Sequence, residues 1–437
     1  MLRVMAIYGT RPEAIKMAPL VEALGNQRGL EVAVAVTGQH REMLDQVNEL
    51  FSITPDFDLN LMRPGASLTE LSTRALTATS ELVAREMPDA VVVQGDTTSA
   101  FPGALAAFYH KVPIIHLEAG LRTGDVHSPF PEEGNRRLIS PLTALHLAPT
   151  PRSRRNLLHE GISGASIVVT GNTVIDALQT ALRTPPAFAD RRLGRLTASG
   201  RQILLVTTHR RESWGEKLTE AMSAVRDLAW IYPDLAIVLP MHRNAIVRES
   251  IEPLLAGVDS ILLTEPLDYH SFTHLLAASH LVLTDSGGVQ EAAPSIGKPV
   301  LVMRDTTERP EALEAGTARM VGTDRHTIVS EVSRLLDDHV EYQEIANAVN
   351  PYGDGRAAVR GAAAIAELLG VGSRIDEFVP EIVPSSSTRW PLVVGSAPDG
   401  DPVTSRARRF SLARSTSVTV LIADGAGCIG AHVVRLR

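Results

Sequence analysis

Three acidic segments in the first half of the chain have the composition of a proton-transfer site. Asp96 follows the apolar run 90–94, Glu118 follows the run 114–117, and Glu132 lies in a loop that opens a helix. Because the carboxyl ends of parallel strands meet at one sheet edge, Asp96 and Glu118 are predicted to lie together. Neighbouring carboxylates can divide acid and base roles, since burial and mutual repulsion separate their pKa values. The alternative is that each one caps a helix.

The segment 9–16 (GTRPEAIK) has the features of an anion-binding turn. It follows the first predicted strand and opens a helix, where free backbone N–H groups and the helix dipole favour an anion. Arg11 and Lys16 add positive charge at that point. Solvated charges on an ordinary strand-to-helix connection are the alternative.

A Ser-Gly-Gly turn repeats this arrangement in the second half of the chain. Ser286, Gly287 and Gly288 follow the apolar run 281–284 and open a helix. Glycine lets an oxygen-rich ligand approach the backbone, and Arg309, further along, can pair with a pyrophosphate or a carboxylate. These residues predict a pyrophosphate held by the C-terminal half.

Two histidines also follow predicted strands of the second half. His209 ends the first of these strands and faces the same cleft, where it can donate to a phosphate or act as an acid. A hydrogen-bonded structural histidine is the alternative. His242 ends the next strand, and a supporting role is expected for it.

The elements that must position these residues alternate along the chain. Strand-length apolar runs are followed by turns and amphipathic helical patterns, which predicts parallel sheets covered on both faces. The predicted strands are 2–8, 31–37, 90–94, 114–117, 145–148, 203–207, 236–240, 261–263, 281–284 and 300–303. The expected fold is α/β, with two Rossmann-like, doubly wound domains and the active site in the cleft between them.

The domain boundaries follow from this series. The N-terminal domain is expected over 1–172, with a helix at 357–372 that closes the regular pattern, and the C-terminal domain over 173–356. Residues 380–437 are rich in proline and arginine, which predicts a disordered tail. That tail ends in a strand and Gly-rich turn resembling the start of a dinucleotide-binding fold, without the rest of that fold, and we expect it to be dispensable.

Composition limits the class of protein. The chain has 437 residues and a formal net charge of −8, which argues against nucleic acid or an anionic membrane as its main partner. The single cysteine, Cys428, excludes an intramolecular disulfide, and no Cys/His cluster at zinc-site spacing predicts a metal centre. A cytoplasmic protein without a membrane span is expected.

Taken together, the motifs resemble those of the non-hydrolysing UDP-N-acetylglucosamine 2-epimerase family. They lie at residues 9–13 (GTRPE), 37–41 (TGQHR), 94–97 (QGDT), 116–123 (HLEAGLRT), 131–133 (PEE), 208–212 (THRRE), 285–288 (DSGG) and 307–311 (TERPE). The resemblance runs in order from about residue 2 to 370. It implies a glycosyltransferase-B-like pair of domains, a homodimer, and a final helix that crosses back onto the first domain.

The resemblance also implies a reaction. UDP-GlcNAc and UDP-ManNAc would be interconverted by elimination of UDP to 2-acetamidoglucal and its re-addition, with no redox cofactor and no metal. The product would supply ManNAc for bacterial surface polysaccharide. By motif, the catalytic residues would be Asp96, Glu118, Glu132 and His209. The substrate would be held by Arg11, Lys16, Arg136, Phe272, Ser286, Gly287, Gly288 and Arg309.

Four positions depart from the family pattern. Ala292 replaces a glutamate that contacts the ribose hydroxyls in relatives, and Leu267 replaces a glutamine near the base, so weaker uridine affinity is expected in calorimetry. Some relatives carry an allosteric UDP-GlcNAc site, which Gln39, His40 and His242 match in part. Glu42 and Gly65 replace a glutamine and an arginine of that site, which argues against substrate activation.

Other functions remain open on the sequence. A UDP-sugar glycosyltransferase of the same fold would share the UDP site, although the three carboxylates argue against it. A hydrolysing relative would release free sugar, and a nucleotide-sugar-binding regulator would bind without turnover.

Overall fold

Two parallel sheets dominate the structure, a computed structural model that describes residues 1–38, 41–63, 65–208, 215–242, 244–307 and 309–380. The first sheet has seven strands in the order β3-β2-β1-β4-β5-β6-β7. These strands are β1 (Leu2–Tyr8), β2 (Leu30–Val36), β3 (Phe57–Asp58), β4 (Ala90–Gln94), β5 (Ile114–Leu117), β6 (Leu145–Ala148) and β7 (Ile167–Val169).

The second sheet repeats this topology with six parallel strands in the order β10-β9-β8-β11-β12-β13. They are β8 (Ile203–Thr207), β9 (Ala236–Pro240), β10 (Ile261–Thr264), β11 (Leu281–Thr284), β12 (Val300–Val302) and β13 (Ala318–Met320). In each sheet the order reverses beside the first strand, between β1 and β4 and between β8 and β11. Ligands bind at such reversal points in open α/β sheets.

Helices connect the strands and cover both faces of each sheet. Up to β8 the helices are α1 (Arg11–Gly25), α2 (Arg41–Leu50), α3 (Leu68–Glu86), α4 (Ala100–Tyr109), α5 (Glu132–Ile139), α6 (Pro151–His159), α7 (Thr173–Ala181) and α8 (Arg191–Thr197). Those that follow are α9 (Glu216–Ile231), α10 (Ala245–Leu255), α11 (Tyr269–Ala278), α12 (Gly287–Ala292), α13 (Pro310–Glu314), α14 (Arg325–Asp337), α15 (His339–Ala346) and α16 (Ala357–Leu368).

The central strands are buried on both faces, as their near-continuous apolar sequences require. Val4 to Tyr8 of β1 and Leu204 to Val206 of β8 have no exposed surface. The prediction of two doubly wound parallel-sheet domains is confirmed.

The last helix, α16, packs against α1 and α7. Its first turn is held by Asp176 of α7, whose carboxylate accepts from the backbone N–H groups of Ala357 at 3.3 Å and Ala358 at 3.0 Å. A Cβ on Gly361 would lie 3.1 Å from Leu20 of α1, so a residue without a side chain permits this close approach. The predicted helix 357–372 ends earlier, at Leu368.

No helix in the described part of the chain is long and apolar enough to cross a lipid bilayer.

Candidate active site

Glu118 lies at the centre of the polar cluster in the cleft. It directly follows β5 and has a positive φ of 65°, a backbone conformation that costs a non-glycine residue about 1–3 kcal/mol. Its carboxylate accepts hydrogen bonds from Lys16 and from Gln94. A third donor is the side-chain amide of Asn172, at 3.1 Å from Oε1. Donors from three separate segments therefore fix both oxygens.

Lys16 joins the two domains at this cluster. Its ammonium pairs with Glu118 and lies 3.7 Å from Oε2 of Glu291, which belongs to α12 of the second sheet. The other oxygen of Glu291 accepts from Nε of Arg309 at 2.7 Å. All of these charges are largely buried. Removal of one partner would leave an uncompensated charge, which typically costs about 3–5 kcal/mol.

The charges in this cluster favour ionised side chains. Burial by itself would raise the pKa of Glu118, but the Lys16 ammonium and its hydrogen bond outweigh burial and lower it. Burial likewise acts to lower the pKa of Lys16, and Glu118 and Glu291 together raise it instead. Glu118 is therefore a carboxylate, and Lys16 a cation.

Asp96 follows the neighbouring strand β4 and has the opposite tendency. Burial raises its pKa, and although the Arg136 guanidinium opposes this, the charges of Glu118 and Glu132 reinforce it. Arg136 forms a buried ion pair with the Asp96 carboxylate. The side chain of Asn135 also donates to the Asp96 carbonyl at 2.8 Å, so two consecutive residues of α5 hold this aspartate.

Glu132 and Glu133 differ in position although they are adjacent. Glu132 is half-buried at the start of α5, where its charge influences the pKa of Asp96. Glu133 is fully buried and accepts from the backbone N–H of Thr123 at 3.1 Å and from Arg137 at 2.9 Å. Glu133 thus holds the loop that follows β5 and does not cap a helix.

Glu13, which the sequence did not single out, forms hydrogen bonds with two loops of the site. It has no exposed surface, and its carboxylate accepts from the backbone N–H groups of Gly9 at 3.0 Å and Thr10 at 2.7 Å. It also accepts from the hydroxyl of Thr97, next to Asp96, at 2.6 Å. The reciprocal bond from the Glu13 N–H to Thr10 makes a capping box, for which Thr-x-x-Glu is the sequence signature.

His116 contacts the turn at the same sheet edge. It is fully buried on β5, with Nε2 at 2.7 Å from the carbonyl oxygen of Gly95. Burial lowers its pKa to about 3, so the ring is neutral and donates to that carbonyl. This histidine therefore orients the turn that carries Asp96.

Arg11 contacts the loop that precedes α11, the helix that carries Phe272. Nη1 of Arg11 donates to the backbone carbonyl of Leu267, across the cleft, at 3.3 Å. Phe272 follows on α11 and is partly buried against the core. The loop before α11 therefore faces the first turn of α1.

The Ser-Gly-Gly turn opens α12 as predicted. Ser286 occupies the N-cap position, and its side chain makes no capping hydrogen bond. A Cβ on Gly287 would lie 2.5 Å from Cζ of Arg309, so the guanidinium lies directly against this glycine and would have to shift for a larger residue. Gly288 has open space where a Cβ would stand, and Ala292 is buried at the end of the helix.

The remaining predicted residues are His242 and those outside the described part of the chain. His209, Gln39 and His40 lie outside the described residues, as does the tail from residue 381. His242 follows β9 and accepts on Nδ1 from the backbone N–H of Asn244 at 3.1 Å, which is a local turn contact.

A cavity of about 590 Å³ opens between the loop that follows β5 and the loop that follows β12. Its polar lining includes Thr123, Asp305, Thr307 and Glu311. The described residues that line it include none of the predicted catalytic carboxylates. It therefore lies beside the Asp96–Glu118 cluster.

The structure thus brings together residues that lie far apart in the sequence. Among the predicted residues, Lys16 forms an ion pair with Glu118, and Arg136 forms one with Asp96. Gln94, Asn172 and Glu291 complete the cluster. Gln94 lies inside a quoted motif and Glu291 lies three residues after the DSGG motif, whereas Asn172 carried no signal beyond its place before a helix. The described residues contain no group of three or more His, Cys, Asp or Glu side chains able to hold a metal ion.

Comparison with known proteins agrees with this geometry. The family described as UDP-N-acetylglucosamine 2-epimerase matches residues 22–366. The UDP-N-acetylglucosamine 2-epimerase of Escherichia coli is 51% identical over 365 residues, which cover 82% of this chain and 97% of that protein. The enzyme of Yersinia pestis is 50% identical over the same shares.

Solved structures give the same result. The S. aureus MnaA structure with UDP superposes with a TM-score of 0.80 at 45% identity, covering 87% of this chain and 100% of that one. The UDP-GlcNAc 2-epimerase from Neisseria meningitidis bound to UDP-GlcNAc gives 0.78 at 44% identity, with coverage of 84% and 99%. The predicted resemblance and the glycosyltransferase-B-like fold are confirmed, and the chain belongs to the UDP-N-acetylglucosamine 2-epimerase family.

Proposed function

We propose that this protein is an isomerase that interconverts UDP-GlcNAc and UDP-ManNAc without net hydrolysis. The observation that best supports this function is the pair of carboxylates at one sheet edge, Asp96 and Glu118, with opposite protonation tendencies. Inversion at C2 by deprotonation on one face and protonation on the other needs two such groups. Family membership supplies the substrate, since relatives bind UDP and UDP-GlcNAc.

The reaction is an elimination followed by an addition. The C2–H bond breaks as a base takes the proton, the C1–O bond breaks as UDP departs, and 2-acetamidoglucal remains. UDP then re-forms the C1–O bond while an acid delivers a proton to the opposite face of C2. Because the C2 proton is weakly acidic, C1–O cleavage runs ahead, and nearby carboxylates stabilise the positive charge that develops on the sugar.

The two carboxylates divide this work according to their surroundings. Glu118, held ionised by Lys16, accepts the C2 proton in one direction, and Asp96, whose pKa burial raises, donates the proton to the other face. One turnover exchanges their protonation states, which is the arrangement that the reverse reaction needs. Glu132, near Asp96, adds negative charge opposite the developing cation.

The cations of the cleft hold the leaving group. Arg11, Lys16 and Arg309 line the passage between the domains, and guanidinium and ammonium groups stabilise a departing diphosphate. Backbone groups at Ser286, Gly287 and Gly288 would contact the pyrophosphate, and Phe272 the uracil. Arg136 positions Asp96, and His209 donates to the phosphate.

The remaining parts of the proposal concern context. The enzyme acts in the cytoplasm as a homodimer, and its product supplies ManNAc units for surface polysaccharide. Its N-terminal domain comprises 1–172 with the helix that begins at Ala357, and its C-terminal domain comprises 173–356.

Product analysis tests this function. The enzyme is incubated with UDP-GlcNAc, and ¹H and ³¹P NMR follow UDP-ManNAc, free sugar and free UDP. We expect UDP-ManNAc to accumulate to equilibrium without stoichiometric free ManNAc. Accumulating free ManNAc and UDP would indicate a hydrolysing enzyme, and turnover only with an added acceptor would indicate a glycosyltransferase. UDP binding without any turnover would indicate a regulator.

Two isosteric variants assign the carboxylates. Asp96→Asn and Glu118→Gln are each expected to lower kcat at least about 100-fold, while UDP binding measured by calorimetry changes little. Glu49→Gln, an exposed carboxylate on α2, is the matched control and should keep full activity. Full activity in either cleft variant would remove that residue from the mechanism.

The pH dependence of kcat follows from the pKa shifts of Glu118 and Asp96. Glu118 must be ionised, so kcat falls as pH drops through its lowered pKa. Asp96 must be protonated, so kcat falls as pH rises through its raised pKa. A bell-shaped profile for the wild type is expected, and Glu118→Gln should lose the acidic limb of its residual rate. A residual rate with both limbs intact would contradict the assignment of Glu118.

A further inference from the structure

The chain passes between the two sheets twice, and the two passages meet at Asn172. Residues 170–172 leave the first sheet after β7, and residues 350–356 return to it before α16; together we call them the interdomain crossing. The backbone N–H of Asn172 donates to the carbonyl of Tyr352 at 2.6 Å. A Cβ on Gly171 would lie 3.3 Å from Cα of Gly353, so the two passages are in close contact.

The side chain of Asn172 has a fixed orientation. Its Oδ1 accepts from the backbone N–H of Val174 at 3.0 Å and caps α7. An amide whose oxygen is used in this way presents its NH₂ group on the other side. That group donates to Oε1 of Glu118 at 3.1 Å, and Asn172 is 3% exposed. One buried side chain therefore links the interdomain crossing to Glu118.

The second passage is linked to the same cluster from the other domain. The side chain of Asn350 donates to the carbonyl of Glu291 at 2.9 Å, and its oxygen accepts from the N–H of Tyr352 at 3.0 Å. Glu291 pairs with Arg309 and lies near Lys16. The crossing thus bonds the carboxylate of Glu118 on one side of Lys16 and the backbone of Glu291 on the other.

We propose that Asn172 is a positioning residue for Glu118, which holds Oε1 in the reactive orientation and makes that orientation depend on the geometry of the interdomain crossing. This inference rests on the proposed epimerase reaction. Asn172 itself need not touch the substrate. Because the backbone of Asn172 is bonded to Tyr352 of the returning passage, a shift of the crossing would move the donor of Oε1.

Loss of this donor is expected to change the pKa of Glu118 in one direction. Glu118 faces the cations Lys16 and Arg309 and lies near the carboxylate of Asp96. Its neutral donors are Gln94, to Oε2, and Asn172, to Oε1. A hydrogen bond to the ionised form lowers the pKa of a carboxylate. Replacing the donor by an acceptor therefore raises the pKa of Glu118 and loosens its Oε1.

Two substitutions separate positioning from helix capping. Asn172→Asp keeps the shape and the oxygen that caps α7 but removes the donor to Glu118. Asn172→Ser keeps a capping hydroxyl, and its side chain is too short to reach Glu118. Asn347→Asp, at the exposed end of α15, is the matched control for the added charge.

The readouts are kcat, KM for UDP-GlcNAc and the titration of the Glu118 carboxyl. The titration uses ¹³C NMR of protein labelled at glutamate Cδ, with the Glu118 signal identified from its loss in Glu118→Gln. Both Asn172 variants are expected to lower kcat about 10- to 100-fold with KM within about threefold, as misalignment of a reacting group does. Asn172→Asp should also move the Glu118 titration and the acidic limb of kcat to higher pH.

The outcomes are distinguishable from failure of the proposed function. The inference is overturned if either variant, shown by its melting curve to be folded, has the same kcat and the same Glu118 titration as the wild type. A wild-type protein that does not epimerise would refute the proposed function, and the NMR titration would still decide whether Asn172 controls Glu118.

Discussion

Surroundings rather than residue type decide what each buried carboxylate does. Glu13 accepts backbone N–H groups and shapes a loop, Glu133 holds a neighbouring segment, and Glu291 anchors Arg309. Glu118 and Asp96 instead lie at the edge of the first sheet where the neighbouring strands β5 and β4 end. The sequence predicted that these two would meet, because parallel strands share an edge. It did not predict Asn172 as a donor, since that contact depends on the path between the domains.

The tight turn after β1 depends on one glycine. A Cβ on Gly9 would lie 1.7 Å from Oγ1 of Thr37 and 2.6 Å from Oγ of Ser99, both buried. Gly9→Ala is therefore expected to destabilise the fold by about 1–3 kcal/mol, as overpacking does, and to displace the loop that carries Arg11. Denaturant unfolding measures this loss.

Gly25→Ala is the matched control for that substitution. Gly25 ends α1 and has nothing within 4 Å of the position of a Cβ, so this variant should be neutral or slightly stabilised. Equal stability of both variants would refute the steric argument for Gly9.

At the scale of elements, ten of the thirteen described strands were predicted to within about one residue. The three strands that the pattern missed, β3, β7 and β13, have two or three residues each. Each of them lies at a sheet edge, where the neighbouring strand rather than its own sequence defines it, whereas β12, which also has three residues, lies inside its sheet and was predicted. The end of α16 was placed four residues too late: the helix ends at Leu368, and Gly370 follows the C-cap Leu369 with a positive φ of 72°, a conformation that terminates helices.

The cap that holds α16 should be sensitive to pH. Burial raises the pKa of Asp176 to about 6, from an ordinary value of 3.8. Asp176 therefore stabilises the fold fully below pH of about 4. This contribution to the free energy of unfolding, at most about 3 kcal/mol, is lost as the pH rises through about 6. Asp176→Asn does not titrate, so its melting temperature relative to the wild type should rise between pH of about 4 and 7. A difference that stays constant over this range would contradict the shift.

At the scale of the whole molecule, the family match ends at residue 366, and the relatives cover 82% to 87% of this chain. The polar cluster to which both domains contribute, from Lys16 to Arg309, lies within the matched part. We therefore expect the first 380 residues to contain the catalytic unit.

Truncation tests whether the rest is needed. A chain ending at Val379 is expected to have the melting temperature of the full protein, with kcat and KM within about twofold. The reason is that the described contacts of the site all precede that residue. Phe378 donates its backbone N–H to the carbonyl of Val169 at 2.8 Å, so the truncation retains this contact. Loss of activity in a folded truncated protein would show that the tail contributes to catalysis.

The central claim is that the proton at C2 is removed and replaced in the cleft. It is tested most directly by incubating the enzyme with UDP-GlcNAc in heavy water and following C2 of both UDP-sugars by NMR and mass spectrometry. The account predicts that UDP-ManNAc formed at early times carries one deuterium at C2, and that Glu118→Gln sharply slows this incorporation. Epimerised product that retains its original C2 hydrogen would contradict it.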